Sequence, residues 1–209
     1  MPHDPISLAV LVSGSGTTLQ NLIDAIAVAR LSARIGIVIG SRPGLLGVQR
    51  AVAAGLPTAV VNRRDFADVA TFSRDVFAAI GKAQVNLVCL AGWLCLLDLP
   101  TAYAGRVMNI HPALLPSFGG KGMYGQKVHQ AVLDHGCKVS GCTVHFVDGA
   151  YDNGPIILQR TCSVEEGDSA QTLAHRVFEQ EKIAYPEAIS MFAAGRLRIE
   201  GRRVRVKAR

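Results

Sequence analysis

The chain has 209 residues, 49% of them hydrophobic, and a net charge of +6. That length supports a sizeable core, that composition excludes disorder, and no apolar run reaches the ~18–20 residues of a membrane helix. The opening MPHDPISLAV has neither a basic segment nor a signal-type apolar stretch, so a cytoplasmic protein is expected.

The charge is concentrated at one end. The last stretch, RLRIEGRRVRVKAR (196–209), holds seven basic residues and one acid, which accounts for the whole excess. A charged tail on a balanced body is a poor footprint for nucleic acid, and a solvated C-terminal hairpin turning near Glu200-Gly201 explains it better. The five cysteines (Cys89, Cys95, Cys137, Cys142 and Cys162) form no C-x-x-C pair. Reduced thiols fit better than a disulfide frame or a zinc site, and Cys89, in an apolar run, reads as core.

In chain order, ISLAVLV (6–12) is a strand and TLQNLIDAIAVARL (18–31) has helical period. ARIGIVIG (33–40) is a strand, GLLGVQRAVAAG (44–55) a helix stopping at Gly55, and TAVVN (58–62) a third strand. ADVATFSRDVFAAIGK (67–82) is a helix and NLVCLAG (86–92) a fourth strand. This βαβ alternation predicts a doubly wound, mostly parallel α/β sheet with helices on both faces.

RVMNI (106–110) then leads as a strand into His111, with Pro112 holding extended geometry at its exit. The second half changes pattern. VHQAVLDHG (128–136) is a short helix, and SGCTVHFVD (140–148) and PIILQRTCSV (155–164) read as an antiparallel pair. The run 169–195 is helical, with Pro186 marking a kink or break.

Three places offer chemistry. VLVSGSGTTLQ (10–20) is strand, glycine turn, helix: Gly14 and Gly16 allow close approach, and the helix N-terminus suits an anion. Leu19 replaces the third glycine of a dinucleotide fingerprint, and the Gly-Lys-Ser/Thr of a P-loop is absent. A plain tight turn with Thr17 or Thr18 as N-cap is the competing reading. Asn109 and His111 share one strand face at a strand's C-terminal end, where open α/β sheets place ligands. Asp152, in AYDNGPII (150–157), is either a turn residue or a carboxylate returned to His111, where it would raise the imidazole pKa and keep it charged near neutral pH. His145 shares a face with Thr143 and could equally be core. Without a nucleophile elbow or metal spacing, direct transfer between bound molecules gains: Asn109 and protonated His111 would hold an oxyanion and Asp152 would relay a proton.

The blocks SGSGTTLQNLI, LAGWLCLL, GRVMNIHPALLPSFGGKG, SGCTVHFVDGAYDNGPIILQ and FEQEKIAYPEAI, in this order and spacing, resemble the phosphoribosylglycinamide formyltransferases of purine synthesis. The resemblance covers nearly the whole chain. It implies one formyltransferase domain over 1–209, with a phosphate-binding half (1–105) and a catalytic, folate-binding half (106–209). It implies transfer from 10-formyltetrahydrofolate to the amine of glycinamide ribonucleotide, without metal or covalent enzyme intermediate. It assigns catalysis to Asn109, His111 and Asp152, the substrate phosphate to Gly14, Ser15, Gly16, Thr17 and Thr18, and the ribose to Glu181. Folate would lie against Leu94, Cys95, Leu96 and Leu97, with Asn109 and with Asp148, Gly149, Ala150, Tyr151 and Asp152. Cys95 and Gly149 depart from the family's usual bulkier or basic residue and acid. Four glycines in SFGGKGMYGQK (117–127) suggest a mobile lid over the folate. Homodimers occur in the family.

Related enzymes frame the alternatives. Formyltetrahydrofolate deformylases share the N-x-H…D trio but add an N-terminal regulatory domain, and methionyl-tRNA formyltransferases add a C-terminal barrel. Strands beginning at residue 6, and about a dozen residues after the last helix, are expected to leave room for neither. A non-catalytic phosphate-binding module would tolerate loss of His111. The sequence assigns the basic tail no role; attraction of the anionic glutamates of cellular folates is one hypothesis.

Overall fold

Strand β1 (Ile6–Val12) is buried along its whole length. A strand covered on both faces needs such an unbroken apolar or small-residue pattern, and it takes a neighbour on each side. β1 pairs in parallel with β2 (Ala33–Gly40) and with β4 (Leu87–Leu90), and β2 pairs in parallel with β3 (Thr58–Val60). The order β3-β2-β1-β4 is crossed by helices α1 (Thr17–Ala27), α2 (Leu46–Ala53) and α3 (Val69–Lys82). On α3, Phe72, Val76 and Ile80 are buried at helical spacing, and Phe72 stacks on Trp93 with centroids 5.9 Å apart.

The computed structural model describes residues 4–208. Residues 1–3, where the signal-peptide reading begins, and Arg209, the last charge of the tail, lie outside the described residues. The chain forms two compact units, one up to Met108 and one from Asn109, and the division falls inside β5 (Val107–His111).

In the second unit the strand order is β5-β6-β7-β9-β8. β6 (Val139–Phe146) and β7 (Ile156–Ser163) pair antiparallel. β8 (Leu197–Glu200) and β9 (Arg203–Val206) form the tail hairpin, and β9 meets β7 in parallel at Ile156 and Arg203. Helix α4 (Gln126–Asp134) packs on the long α5 (Ala170–Ala193), which also covers β6 and β7. Parallel strands first, antiparallel strands last, and flanking helices are the α/β arrangement expected from the sequence. No described helix is long and apolar enough to cross a membrane.

Two local expectations are corrected. Helix α1 stops at Ala27 because Ala29 turns into the left-handed region (φ 58°), and the N–H groups of Arg30 and Leu31 both close onto the Ala25 carbonyl. Leu31 is buried as part of that stop, which mimics continued helical period. Helix α5 does not break at Pro186. Tyr185, Pro186, Ala188 and Ile189 are all buried on the same packed helix, so tertiary contacts hold both sides of the proline.

Gly141 on β6 is required by close approach: a Cβ there would lie 2.0 Å from the Arg160 carbonyl oxygen. Gly141→Ala is expected to destabilise the protein by ~2–3 kcal/mol, seen as a lower urea midpoint at unchanged slope.

Candidate active site

In the first unit the chemistry gathers where β1 ends. Gly16 has φ 75°, and a Cβ on it would fall 2.5 Å from Gly47 Cα. Both facts demand glycine, and together they bring the turn against the start of α2. There Gly47 N–H donates to the Gly14 carbonyl (3.1 Å) and Arg50 Nε donates to the Ser15 carbonyl (2.9 Å). The turn's carbonyls are thereby occupied on the α2 side. The N–H groups of the first turn of any α-helix lack an intrahelical acceptor and carry the positive end of its dipole, so the N-terminus of α1 suits an anion. The N-cap is Gly16, with no side-chain cap; Thr17 and Thr18 are instead the first two helical residues. The left-handed backbone and the contact with Gly47 exclude a threonine from the cap.

Ser13, one residue past β1, ties this turn to the segment after β4. Its Oγ accepts from Leu94 N–H (3.0 Å) and from the Ser41 hydroxyl (2.8 Å). Leu94 is 44% exposed and Leu97 is buried, with Cys95 and Leu96 between these extremes. Burial pushes the Cys95 thiol up, against hydrogen bonds with Ser41 and Ser13.

In the second unit β5 delivers Asn109 and His111 on one face, and the β6–β7 loop delivers Asp152. Asn109 Nδ2 donates to Asp152 Oδ1 (3.2 Å) and reaches His145 Nε2 (3.1 Å). His111 Nδ1 lies 3.5 Å from the same Asp152 oxygen. The other carboxylate oxygen, Oδ2, accepts from Gly120 N–H (2.9 Å). His111 Nε2 is 2.8 Å from the Phe118 carbonyl, and His145 Nδ1 is 2.8 Å from the Phe146 carbonyl. A carbonyl only accepts, so each of those nitrogens carries the proton. That leaves His145 Nε2 facing the Asn109 amide and His111 Nδ1 facing Asp152.

The loop that carries Asp152 is folded on itself. Asp148 accepts from Ala150 N–H (3.2 Å) and from Asn153 Nδ2 (2.7 Å). Gly149 has φ 89°, which accounts for glycine where an acid would be strained. Asp152 itself sits at φ 52°, a conformation an aspartate tolerates better than most residues.

Burial lowers the His111 pKa, and it outweighs the opposing pull of Asp152 and of the Phe118 carbonyl. The expectation that Asp152 keeps His111 charged near neutral pH is therefore corrected: at 4% exposure, desolvation of the imidazolium wins. Burial also pushes Asp152 up, but the nearness of His145 (Nε2 at 3.8 Å) and His111 and the bond from the Gly120 N–H together leave it below the ordinary carboxylate range. The resting pair is thus a carboxylate beside a neutral imidazole.

The formyl transferase family model matches residues 6–189. A phosphoribosylglycinamide formyltransferase from Arabidopsis thaliana is 35% identical over 202 residues, spanning 94% of this chain and 69% of that protein. The trifunctional purine biosynthetic protein adenosine-3 of Drosophila melanogaster is 39% identical over 90% of this chain, which spans only 14% of that protein's length. A glycinamide ribonucleotide transformylase from Symbiobacterium toebii superimposes with a TM-score of 0.90 at 42% identity, covering 97% of this chain and 94% of that one. The chain belongs to the formyl transferase family.

In this member of the family the sequence points to Asn109, His111 and Asp152 but not to three further groups near them. Phe118 and Gly120 act through backbone atoms, which no side-chain pattern reports. His129 on α4 is 4% exposed, its Nδ1 has no partner among the described residues, and burial with the field of His111 lowers its pKa to about 4. His145, left between core and site by its strand face, is part of the cluster. Among the described residues no group of three His, Cys, Asp or Glu is placed to hold a metal ion.

Glu181 projects from α5. Although the residue as a whole is half-buried, its carboxyl is desolvated, which raises its pKa to about 8. A carboxyl protonated more readily in the folded than in the unfolded chain costs stability as pH rises from ~4.5 toward 8. Glu181→Gln is expected to raise stability at pH 8 by a few kcal/mol, on the order of the full linkage, and to leave it unchanged at pH 4. Urea midpoints at the two pH values check this; equal shifts at both would show an ordinary carboxylate.

Proposed function

We propose that the chain transfers the formyl group of 10-formyltetrahydrofolate to the amine of N1-(5-phospho-D-ribosyl)glycinamide, a step of purine biosynthesis. The observation that carries this reading is the convergence of the Asn109 amide and the His111 imidazole on one oxygen of Asp152, in a member of the formyl transferase family. The relatives named for this reaction support the choice of substrates.

The amine attacks the formyl carbon, a C–N bond forms, and the carbonyl becomes an oxyanion on a tetrahedral carbon. Asp152, a carboxylate at neutral pH, takes a proton from the attacking nitrogen. His111 Nδ1 lies 3.5 Å from that oxygen and is unprotonated at rest, so the proton has a second station there. While the proton is on Asp152 its bond from Asn109 is weakened, which frees that N–H for the oxyanion as charge develops; once the proton moves on to His111 Nδ1, Asp152 is again a carboxylate and the imidazolium sets a positive charge beside the oxyanion. The proton is then returned to N10 of the folate, the C–N10 bond breaks, and tetrahydrofolate leaves. Donors and a carboxylate cover every charge in this path, so it uses neither a covalent enzyme intermediate nor a metal.

In this reading the N-terminus of α1, with Gly14, Ser15, Gly16, Thr17 and Thr18, binds the substrate phosphate. Protonated Glu181 meets a ribose hydroxyl. Leu94, Cys95, Leu96, Leu97 and residues 148–152 receive the folate, and 117–127 covers it. Hydrogen exchange tests the cover: the Gly120 amide, bonded to Asp152 at 2.9 Å, is expected to exchange more slowly when a stable 10-formyl folate analogue binds.

Folate absorbance decides the reaction. Deformylation that requires the ribonucleotide establishes the transfer, and deformylation by water alone makes the chain a deformylase. His111→Ala is expected to lower kcat on the order of 10²-fold or more. Wild-type turnover in that variant would remove His111 from the mechanism, and phosphate binding without any turnover in the unaltered chain would leave only a phosphate-binding module.

A further inference from the structure

The basic hairpin has a task beyond carrying charge. Glu200 pairs with Arg203 across the turn, so Gly201 and Arg202 alone make the β8–β9 connection, and Gly201 takes the positive φ (60°) that such a tight turn needs. The turn aims Arg202 at the loop before β7, where its Nη2 donates to the Asn153 carbonyl at 2.6 Å. That carbonyl belongs to the residue that follows Asp152.

The approach is built from both sides. Arg203, next to Arg202, is the residue where β9 meets β7 at Ile156, just past the loop's exit. The base of the loop is closed by Phe146 N–H donating to the Pro155 carbonyl (2.9 Å). A Cβ on Gly154 would lie 1.8 Å from the Phe146 carbonyl oxygen, so only glycine allows that closure. Between this base and the internal bonds of Asp148 lies Asp152, with its left-handed backbone. Its carboxylate must meet Asn109, His111 and Gly120 at once.

We propose that Arg202 is a positioning residue for Asp152: its charge-assisted bond to the Asn153 carbonyl holds the 152–153 backbone so that the carboxylate stays on His111. The proposal rests on the catalytic role given to Asp152 above. An arginine suits the task because its donor is always charged and reaches from an exposed turn. The other hairpin cations differ: Arg198 and Arg205 meet Glu200 within the hairpin.

The test compares Arg202→Ala, Arg202→Lys and Asp152→Asn in the full chain, with kcat, both KM values, the pH profile of kcat and the thermal midpoint for each. Arg202→Ala is expected to lower kcat about tenfold, keep KM for the ribonucleotide, and shift the acidic limb of the pH profile, with part of the rate restored in Arg202→Lys. Wild-type kcat and pH profile in Arg202→Ala overturn the proposal. So does a loss matched only by a lower thermal midpoint, without a shift in the pH profile. If Asp152→Asn keeps wild-type activity, the catalytic reading itself fails and the proposal with it. If Asp152→Asn is inactive while Arg202→Ala is normal, the proposal alone fails.

Discussion

One carboxylate organises the second unit's chemistry. Asp152 gives one oxygen to Asn109 and His111 and the other to Gly120, from a backbone position that few residues adopt without strain. Everything around it serves to hold that geometry. Asp148 closes the loop internally, Gly154 lets its base approach Phe146, and β5 presents the amide and the imidazole at the spacing a strand dictates. The site is held by contacts among three segments, β5, the stretch at 118–120 and the loop 146–154, rather than by one motif.

Much of this was legible beforehand, for a physical reason. Strand period is two, so Asn109 and His111 had to share a face, and Pro112 had to keep the strand extended. An Asp-Asn-Gly turn between two pairing strands left Asp152 either a plain turn residue or a carboxylate returned to His111, and only the three-dimensional contacts choose the second. The parallel half was legible because doubly covered strands read as unbroken apolar runs. What failed was whatever depends on competition between terms. Pro186 signals a break, but burial of Tyr185 and Ile189 outweighs one lost backbone bond. Thr17 and Thr18 are good caps by type, but the turn's left-handed residue and its contact with Gly47 give the cap to Gly16. Glu181 and the segment from Leu94 to Leu97 entered only through family resemblance, since nothing in their local pattern marks them.

The same competition sets the protonation states. A sequence shows that an acid and an imidazole meet, and the natural inference is a charged pair. Three-dimensional burial decides otherwise: His111 is pushed toward neutrality and Glu181 toward the acid form. Two groups with opposite ordinary charges both tend to be uncharged in the folded chain, while Asp152, supplied with donors, stays ionised. The distinction is that Asp152 receives N–H groups and faces two imidazoles, whereas burial acts on Glu181 unopposed.

The short stretch at 118–120 touches both the imidazole and the carboxylate. Its Phe118 carbonyl fixes the His111 tautomer and its Gly120 N–H holds Asp152. In the formyl-transfer reading this stretch also belongs to the cover over the folate. On that reading, covering the folate and holding the trio are tasks of the same three residues, so a change at 118–120 that loosened the cover would also loosen the imidazole and the carboxylate.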